Sequence, residues 1–430
     1  MRCVGAGRLV FALLLAVFSV ILLAGSSQDE TGRAGSSCGE AKNVILLVGD
    51  GMGASQRDLV RLATVGLEGE LAMDKLSYEG RSHTNSADPE TFVTDSAAGG
   101  TALATGVKTY NGAIGVDTNQ VPVETILEQA KQAEKLTGLV TDSQVTDATP
   151  ASFGAHVPDR EDQSEIARQY IEETQPDVIL GGGEDHWYPE DDAGAYPDAP
   201  EEDREEKSRG TEGNLVERAE AEGYEYVSDA DGLGTTAGPK ILGLFANEEM
   251  FQQKPEGEGD SYAPAVSLAE MTMKAIETLS KDEDGFFLLV EEEAIDEMSH
   301  QNNTPLTIEA GQALDEAVEV ARSYAESDPE TLLIVTADHE TGGLAIESLN
   351  EQQDDPDYPN ESGKGRSSAE DGPFSVAGSD QEYLVDWTTV NHTAEDVPVS
   401  ATGPGASELT GVFENTHIYE VMSRRVCSEE

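Results

Sequence analysis

The chain has 430 residues, 37% of them hydrophobic, with 85 Asp and Glu against 26 Lys and Arg, a formal charge of −59. That apolar content excludes a disordered chain and leaves one large α/β domain or a domain with insertions. The acidity, spread from Glu68 to Glu430 with no basic patch, excludes nucleic acid as a partner by charge.

At molar salt the Debye length falls to about 3 Å, so a salt-rich habitat is the simplest account of a surface that repels itself in dilute buffer. Acidic calcium-binding loops are the blander account, but the excess is not confined to one tail.

Residues 1–25 hold Arg2 and Arg8, the apolar run Leu9 to Ala24, and then Gly25-Ser26-Ser27. This reads as a secretory signal peptide, and predicts export to the periplasm or beyond the cell. An uncleaved membrane anchor stays open, although the run is short against the roughly 20 residues of a span. Residues 26–41 read as a linker and 42–430 as the main domain. Cys3 leaves with the leader; Cys38 and Cys427 stand near the two mature ends, where an oxidising compartment permits a disulfide without the sequence deciding it.

Apolar strand runs then recur at 43–48, 136–140, 177–180, 240–244, 286–290 and 331–335, with helical patterns at 123–134, 165–174, 265–279 and 306–325 between them. Continuous apolar strands alternating with helices predict a central, mostly parallel sheet sandwiched between helices. Ligands in such sheets bind beyond the carboxyl ends of the strands, where Asp50, Glu291 and Asp338 fall. Acidic surface insertions are predicted near 184–210 and 343–391, the latter richest in Asp, Glu, Ser, Gly and Pro from Asn350 to Gly372.

Asp95-Ser96-Ala97 sits where a strand-like approach through Phe92 and Val93 gives way to a small-residue helix, Ala97 to Val107. A hydroxyl there faces the helix N-terminus, which favours an anionic guest, although Asp-Ser-Ala is also how an ordinary N-cap is written. Asp50 lies in Gly49-Asp-Gly-Met-Gly53, a sharp turn. Asp296 and His300, four apart, share one face of a helix and suit a shared ion as well as they suit a capped helix. Asp338-His339 runs into Glu340-Thr-Gly-Gly343, and converges on a metal only if the chain turns there. Mixed His and carboxylate sets suit zinc, and all-oxygen sets suit magnesium.

The segments Val48 to Gly53, Val93 to Ala97, Thr105 to Gly112, Asp147-Ala-Thr-Pro150, Val290-Glu291, Ile295-Asp296, Thr336-Ala-Asp-His339 and Asn391-His-Thr393 together resemble the alkaline phosphatase family, from Asn43 to about His417. The resemblance implies an alkaline-phosphatase-like fold, usually a homodimer, that hydrolyses small phosphate monoesters with two Zn2+ and one Mg2+. It implies that Ser96 is the nucleophile that becomes phosphorylated and that Arg160 clamps two phosphate oxygens. Asp50, Asp338 and His339 would hold one zinc, and Asp296, His300 and His392 the other. Asp50, Thr149 and Glu291 would hold magnesium, with Asp147 just behind it.

Two positions depart from the family pattern. Glu297 stands where Lys, His or Trp is usual, and is expected to turn toward water or magnesium. Glu291-Glu-Glu-Ala294 replaces a Glu-Gly pair, and the five-residue spacing to Asp296 assigns magnesium to Glu291 rather than Glu292. A phosphodiesterase on the same scaffold is the alternative. A sulfatase is disfavoured because no Cys occupies the nucleophile position, and a metal-binding protein with a dead site would tolerate losses at Ser96, Arg160 or a zinc ligand that the sequence does not show.

Overall fold

The six apolar runs all become strands of one sheet, because each can bury both of its faces. The computed structural model describes residues 41–200, 204, 206–251, 261–348 and 370–426. The leader, most of the linker, Cys38, Cys427 and most of the 350–372 stretch therefore lie outside the described residues. In chain order the strands are β1 (Asn43–Gly49), β2 (Tyr78–His83), β3 (Leu136–Gln144), β4 (Val178–Gly182), β5 (Glu225–Val227), β6 (Ile241–Leu244), β7 (Phe286–Glu292) and β8 (Thr331–Thr336). They continue with β9 (Glu340–Thr341), β10 (Leu344–Ser348), β11 (Glu370–Ser375), β12 (Glu382–Trp387), β13 (His392–Thr393), β14 (Val397–Thr402) and β15 (Gly411–Glu414).

Ten strands form the main sheet in the order β15-β2-β14-β8-β1-β7-β3-β4-β6-β5. From β8 to β5 every pairing is parallel, as continuous apolar runs require. β14 runs antiparallel to both β8 and β2, an arrangement the sequence pattern does not announce. Strand β2 (YEGRSH) is polar and mostly exposed, so its periodicity carries no core signal.

Alternation along β1 divides the core. Val44, Leu46 and Val48 face one layer with Leu103, Phe153 and Ile418; Ile45 and Leu47 face the other with Val60, Leu314 and Val318. Phe153 stacks on Phe287 at 5.8 Å between centroids. A smaller antiparallel sheet, β10-β12-β11, carries its own cluster of Leu344, Tyr383, Val385 and Trp387 within the 343–391 stretch. The 184–210 stretch is not wholly a surface feature: Glu184 to Tyr188 at its start are buried, Trp187 and Tyr188 in the main core, while Glu184 accepts from Ala195 N, Tyr196 N and the Tyr226 hydroxyl and Asp185 pairs with Arg209.

The helix α1 spans Ala54–Thr64 and α2 spans Ser96–Thr105. Phe92 and Val93 form a bend rather than a strand, with no neighbour to pair them, and Phe92 is 66% exposed. Every residue of α2 is buried. Its two glycines let it approach the sheet edge, since a Cβ on Gly99 would stand 3.1 Å from Asp338 Cβ and one on Gly100 would stand 2.9 Å from Ser152 Oγ. Among the described residues no helix is long and apolar enough to cross a membrane.

Leu46→Ala empties a fully buried site at the centre of the sheet. A loss of about 2–5 kcal/mol is expected, seen as a lower urea midpoint in salt.

Candidate active site

The turn after β1 brings Asp50 to the carboxyl edge of the sheet. Gly51 takes φ +69°, and a Cβ there would lie 2.5 Å from Asp296 Oδ1, so only glycine lets this turn meet the helix Ala294–His300. Asp338 arrives from the end of β8 and Glu291 from β7, at matching heights: Val48 pairs with both Thr336 and Glu291. β9 follows Asp338-His339 directly, which supplies the change of direction that both ligands need.

Asp50, Asp338 and His339 have donor atoms within 4.8 Å of one another, and so have Asp296, His339 and His392. His339 Nε2 lies 3.4 Å from Asp50 Oδ1 and 3.3 Å from Asp338 Oδ2. His300 Nε2 lies 3.1 Å from Asp296 Oδ2 and 3.0 Å from His392 Nε2. The outer nitrogens of these two rings are occupied: His300 Nδ1 meets Val390 O at 2.6 Å and His392 Nδ1 meets Thr94 O at 2.8 Å. Both Nε2 atoms therefore turn inward, as metal-ligating histidines do.

Ser96 opens α2 from a buried position, its Oγ 3.2 Å from His339 Nε2. Asp95 caps the helix by accepting from Ala98 N at 3.0 Å, and its other oxygen accepts from Gly112 N at 2.8 Å. Arg160 Nη2 donates to Asp147 at 3.0 and 3.1 Å, and Nη1 stands 3.6 Å from Asp95. Burial works against the guanidinium's charge, but Asp147 and Asp95 outweigh it and hold the group firmly cationic.

Burial first, then Asp338, raises Asp50 well above the usual carboxylate range; burial and Asp296 push Asp338 up to about 6. Burial also lifts Glu291 to about 8 against the hydrogen bond it accepts from Thr141 at 2.6 Å. At Asp296, burial is overcome by His300 and His392, which hold it well below normal. The buried oxygens Asp50 Oδ1, Asp338 Oδ2, Glu291 Oε1 and Thr149 Oγ have no hydrogen-bond partner among the described residues. Such orphaned hard donors, beside a His and carboxylate set, fit divalent cations.

A model of the alkaline phosphatase family matches residues 41–428. The chain belongs to the alkaline phosphatase family. It is thus a phosphoric monoester hydrolase, 32% identical to alkaline phosphatase 4 of Bacillus subtilis over 94% of this chain and 93% of that one. The Thermus thermophilus alkaline phosphatase superposes with a TM-score of 0.72 at 25% identity, covering 94% of this chain and 95% of that one. A variant of the alkaline phosphatase of the Antarctic bacterium TAB5, with Mg bound in its M3 site, gives 0.70 at 29%, covering 91% and 100%. The fold of this alkaline phosphatase is therefore the family's α/β sandwich.

All twelve residues singled out from the sequence lie at the carboxyl edge or on the segments that leave or enter the sheet there. Strand alternation separates the neighbouring acids: Glu291 accepts from Thr141, while Glu292 accepts from Tyr262 at 2.8 Å. Asp147 supports Arg160 directly and its charge also bears on Glu291. Glu297 is half-buried, and its charge, after burial itself, raises Glu293.

Sequence reasoning missed three contributors. Asp95 was visible in the motif, but its ion pair with Arg160 links segments far apart in the chain. Thr141 looked like an ordinary β-strand residue. Thr341 donates to Asp296 Oδ1 and lies 3.3 Å from His339 Nδ1, so it accepts the Nδ1 proton and leaves Nε2 bare toward Ser96.

Asp95→Ala is expected to cost about 1 kcal/mol of stability through the lost cap, and Asp95→Asn only a few tenths. Paired thermal melts check this.

Proposed function

We propose that this chain is an exported, salt-adapted alkaline phosphatase of broad specificity, which hydrolyses phosphate monoesters through a phosphoserine on Ser96. One observation carries the reading: Ser96 Oγ lies 3.2 Å from Nε2 of His339, the histidine shared by both groups of candidate ligands. Asp50, Asp338 and His339 would hold one Zn2+, and Asp296, His300 and His392 a second. Asp50, Thr149 and Glu291 would hold Mg2+. When bound, these ions supply Lewis-acid charge at the entering and leaving oxygens and lower the pKa of hydroxyl groups beside them.

The chain's own residues supply the rest. Burial and His392 keep His339 neutral, so its Nε2 lone pair is free to hold a cation beside the Ser96 hydroxyl, 3.2 Å away. Ser96 Oγ forms a bond to phosphorus as the ester oxygen leaves; water then takes the phosphoryl group from Ser96. The N-terminus of α2 points its partial positive charge at that group in both halves. Arg160, steadied by Asp147 and Asp95, offers the planar fork that two phosphoryl oxygens need. Saturating those oxygens favours monoesters over diesters. Glu297 would repel phosphate if it faced inward, and is proposed to turn toward water or Mg2+.

Export rests on residues 1–25, salt adaptation on the charge of −59, and a homodimer on the family resemblance.

Release of phosphate from an aryl monoester at alkaline pH in molar NaCl, with Zn2+ and Mg2+, is the test. Ser96→Ala is expected to lower kcat by more than about a thousandfold, the scale on which lost covalent nucleophiles act. Arg160→Lys is expected to forfeit roughly 2 kcal/mol of inorganic phosphate binding. Faster diester than monoester turnover would instead make the chain a phosphodiesterase. Because screening relieves self-repulsion, the urea midpoint is expected to rise continuously between about 0.1 and 2 M NaCl. A flat response would remove the salt reading, and sedimentation in the same buffers reads the oligomeric state.

A further inference from the structure

Glu340 is fully buried, one residue past His339, and belongs to neither ligand group. Its Oε1 accepts from Gln56 Nε2 at 2.9 Å, from Gly343 N at 2.9 Å and from Leu344 N at 3.4 Å; its Oε2 accepts from the hydroxyl of Thr393. Each partner lies on a segment that carries or flanks a ligand. Gln56 sits on α1, just after the Asp50 turn, and also donates to Thr341 O at 2.5 Å. Thr393 is next to His392.

The chain leaves room for this carboxylate. A Cβ on Gly53 would stand 2.2 Å from Glu340 Cγ, which gives the last glycine of the Gly49 to Gly53 motif a specific reason to be glycine. β9 and β13 pair through two residues only, His392 with Thr341 and Thr393 with Glu340, across 53 positions of sequence. The pairing of β10 with β12, from Leu344 with Trp387 onward, already brings these two short strands together, so what Glu340 adds is local: a charge-assisted hydrogen bond from Thr393, a kind about twice as strong as a neutral one. His392 stacks on His339 with centroids 3.6 Å apart and turns Nε2 toward Asp296.

We propose that Glu340 is a positioning residue of the metal centre, whose buried carboxylate pins His392 beside His339 and Asp296 and so sets the affinity of the ion held there. This rests on the reading of those residues as Zn2+ ligands. Glu340 never touches substrate; it acts through His392.

The test is Zn2+ binding to the full chain, by competition with a chromophoric chelator, with the melting temperature of the metal-free protein measured in parallel. Glu340→Ala and Thr393→Val are expected to weaken one Zn2+ by about 10–100-fold, the usual effect of losing a partner behind a ligand. The other Zn2+ should change little in both variants; the metal-free melting temperature should change little in Thr393→Val, whereas Glu340→Ala lowers it by leaving buried donors without an acceptor. Glu340→Gln, which keeps an acceptor for Gln56 and an amide for Thr393, should weaken that ion less than Glu340→Ala.

Unchanged Zn2+ binding in both variants overturns the inference while leaving the metal reading intact. Parallel loss of both ions together with a lower metal-free melting temperature also overturns it, since that marks a general structural role. Wild-type protein without tight Zn2+ binding overturns the metal reading itself. Thr393→Val removes a single donor and leaves the buried carboxylate with its other three, so it decides the matter if Glu340→Ala fails to fold.

Discussion

Buried negative charge at the carboxyl edge of the sheet is the constraint on which the rest of the structure turns. Asp50, Glu291, Asp296, Asp338 and Glu340 are all buried within a few strands of one another, and carboxylates taken out of water must be paired, hydrogen-bonded or neutralised. The structure meets this demand unequally. Asp296 is compensated by His300 and His392, and Glu340 by four donors. Asp50, Glu291 and Asp338 repel one another and keep oxygens without partners, a deficit that divalent cations would fill.

The same constraint explains why glycine is so frequent around the site. Side chains that must converge leave no space for a Cβ on the backbone that carries them. Gly51 yields to Asp296, Gly53 to Glu340 and Gly99 to Asp338. What reads in the sequence as permissive turns is therefore a set of close approaches between segments remote in the chain. The motif records the packing of its neighbours more than its own conformation.

Legibility followed the same division. The parallel half of the sheet was readable because β1, β3, β4, β6, β7 and β8 are continuous apolar runs, and such runs can only be covered on both faces. The antiparallel edge was not, since β2 and β15 bury little, and β14, although four of its six residues are buried, is short and mixes Pro, Ser and Thr with its apolar residues. The candidate ligands were readable from their types and from the family motifs. Their supports were not: Asp95, Thr141, Thr341 and Glu340 are common residues whose meaning lies in partners brought near only by folding. Local pattern likewise misread Phe92 and Val93, whose β-forming side chains have no neighbouring strand to pair with.

The place of β14 in the sheet has a consequence for how the molecule comes into being. It lies between β8 and β2, so the edge strands β2 and β15 join the parallel core only through a segment near the end of the chain. His392 arrives just before it. During synthesis, β8 keeps an open edge until β14 has emerged. A chain built in this order completes its sheet late, after every strand of the parallel half is already in place.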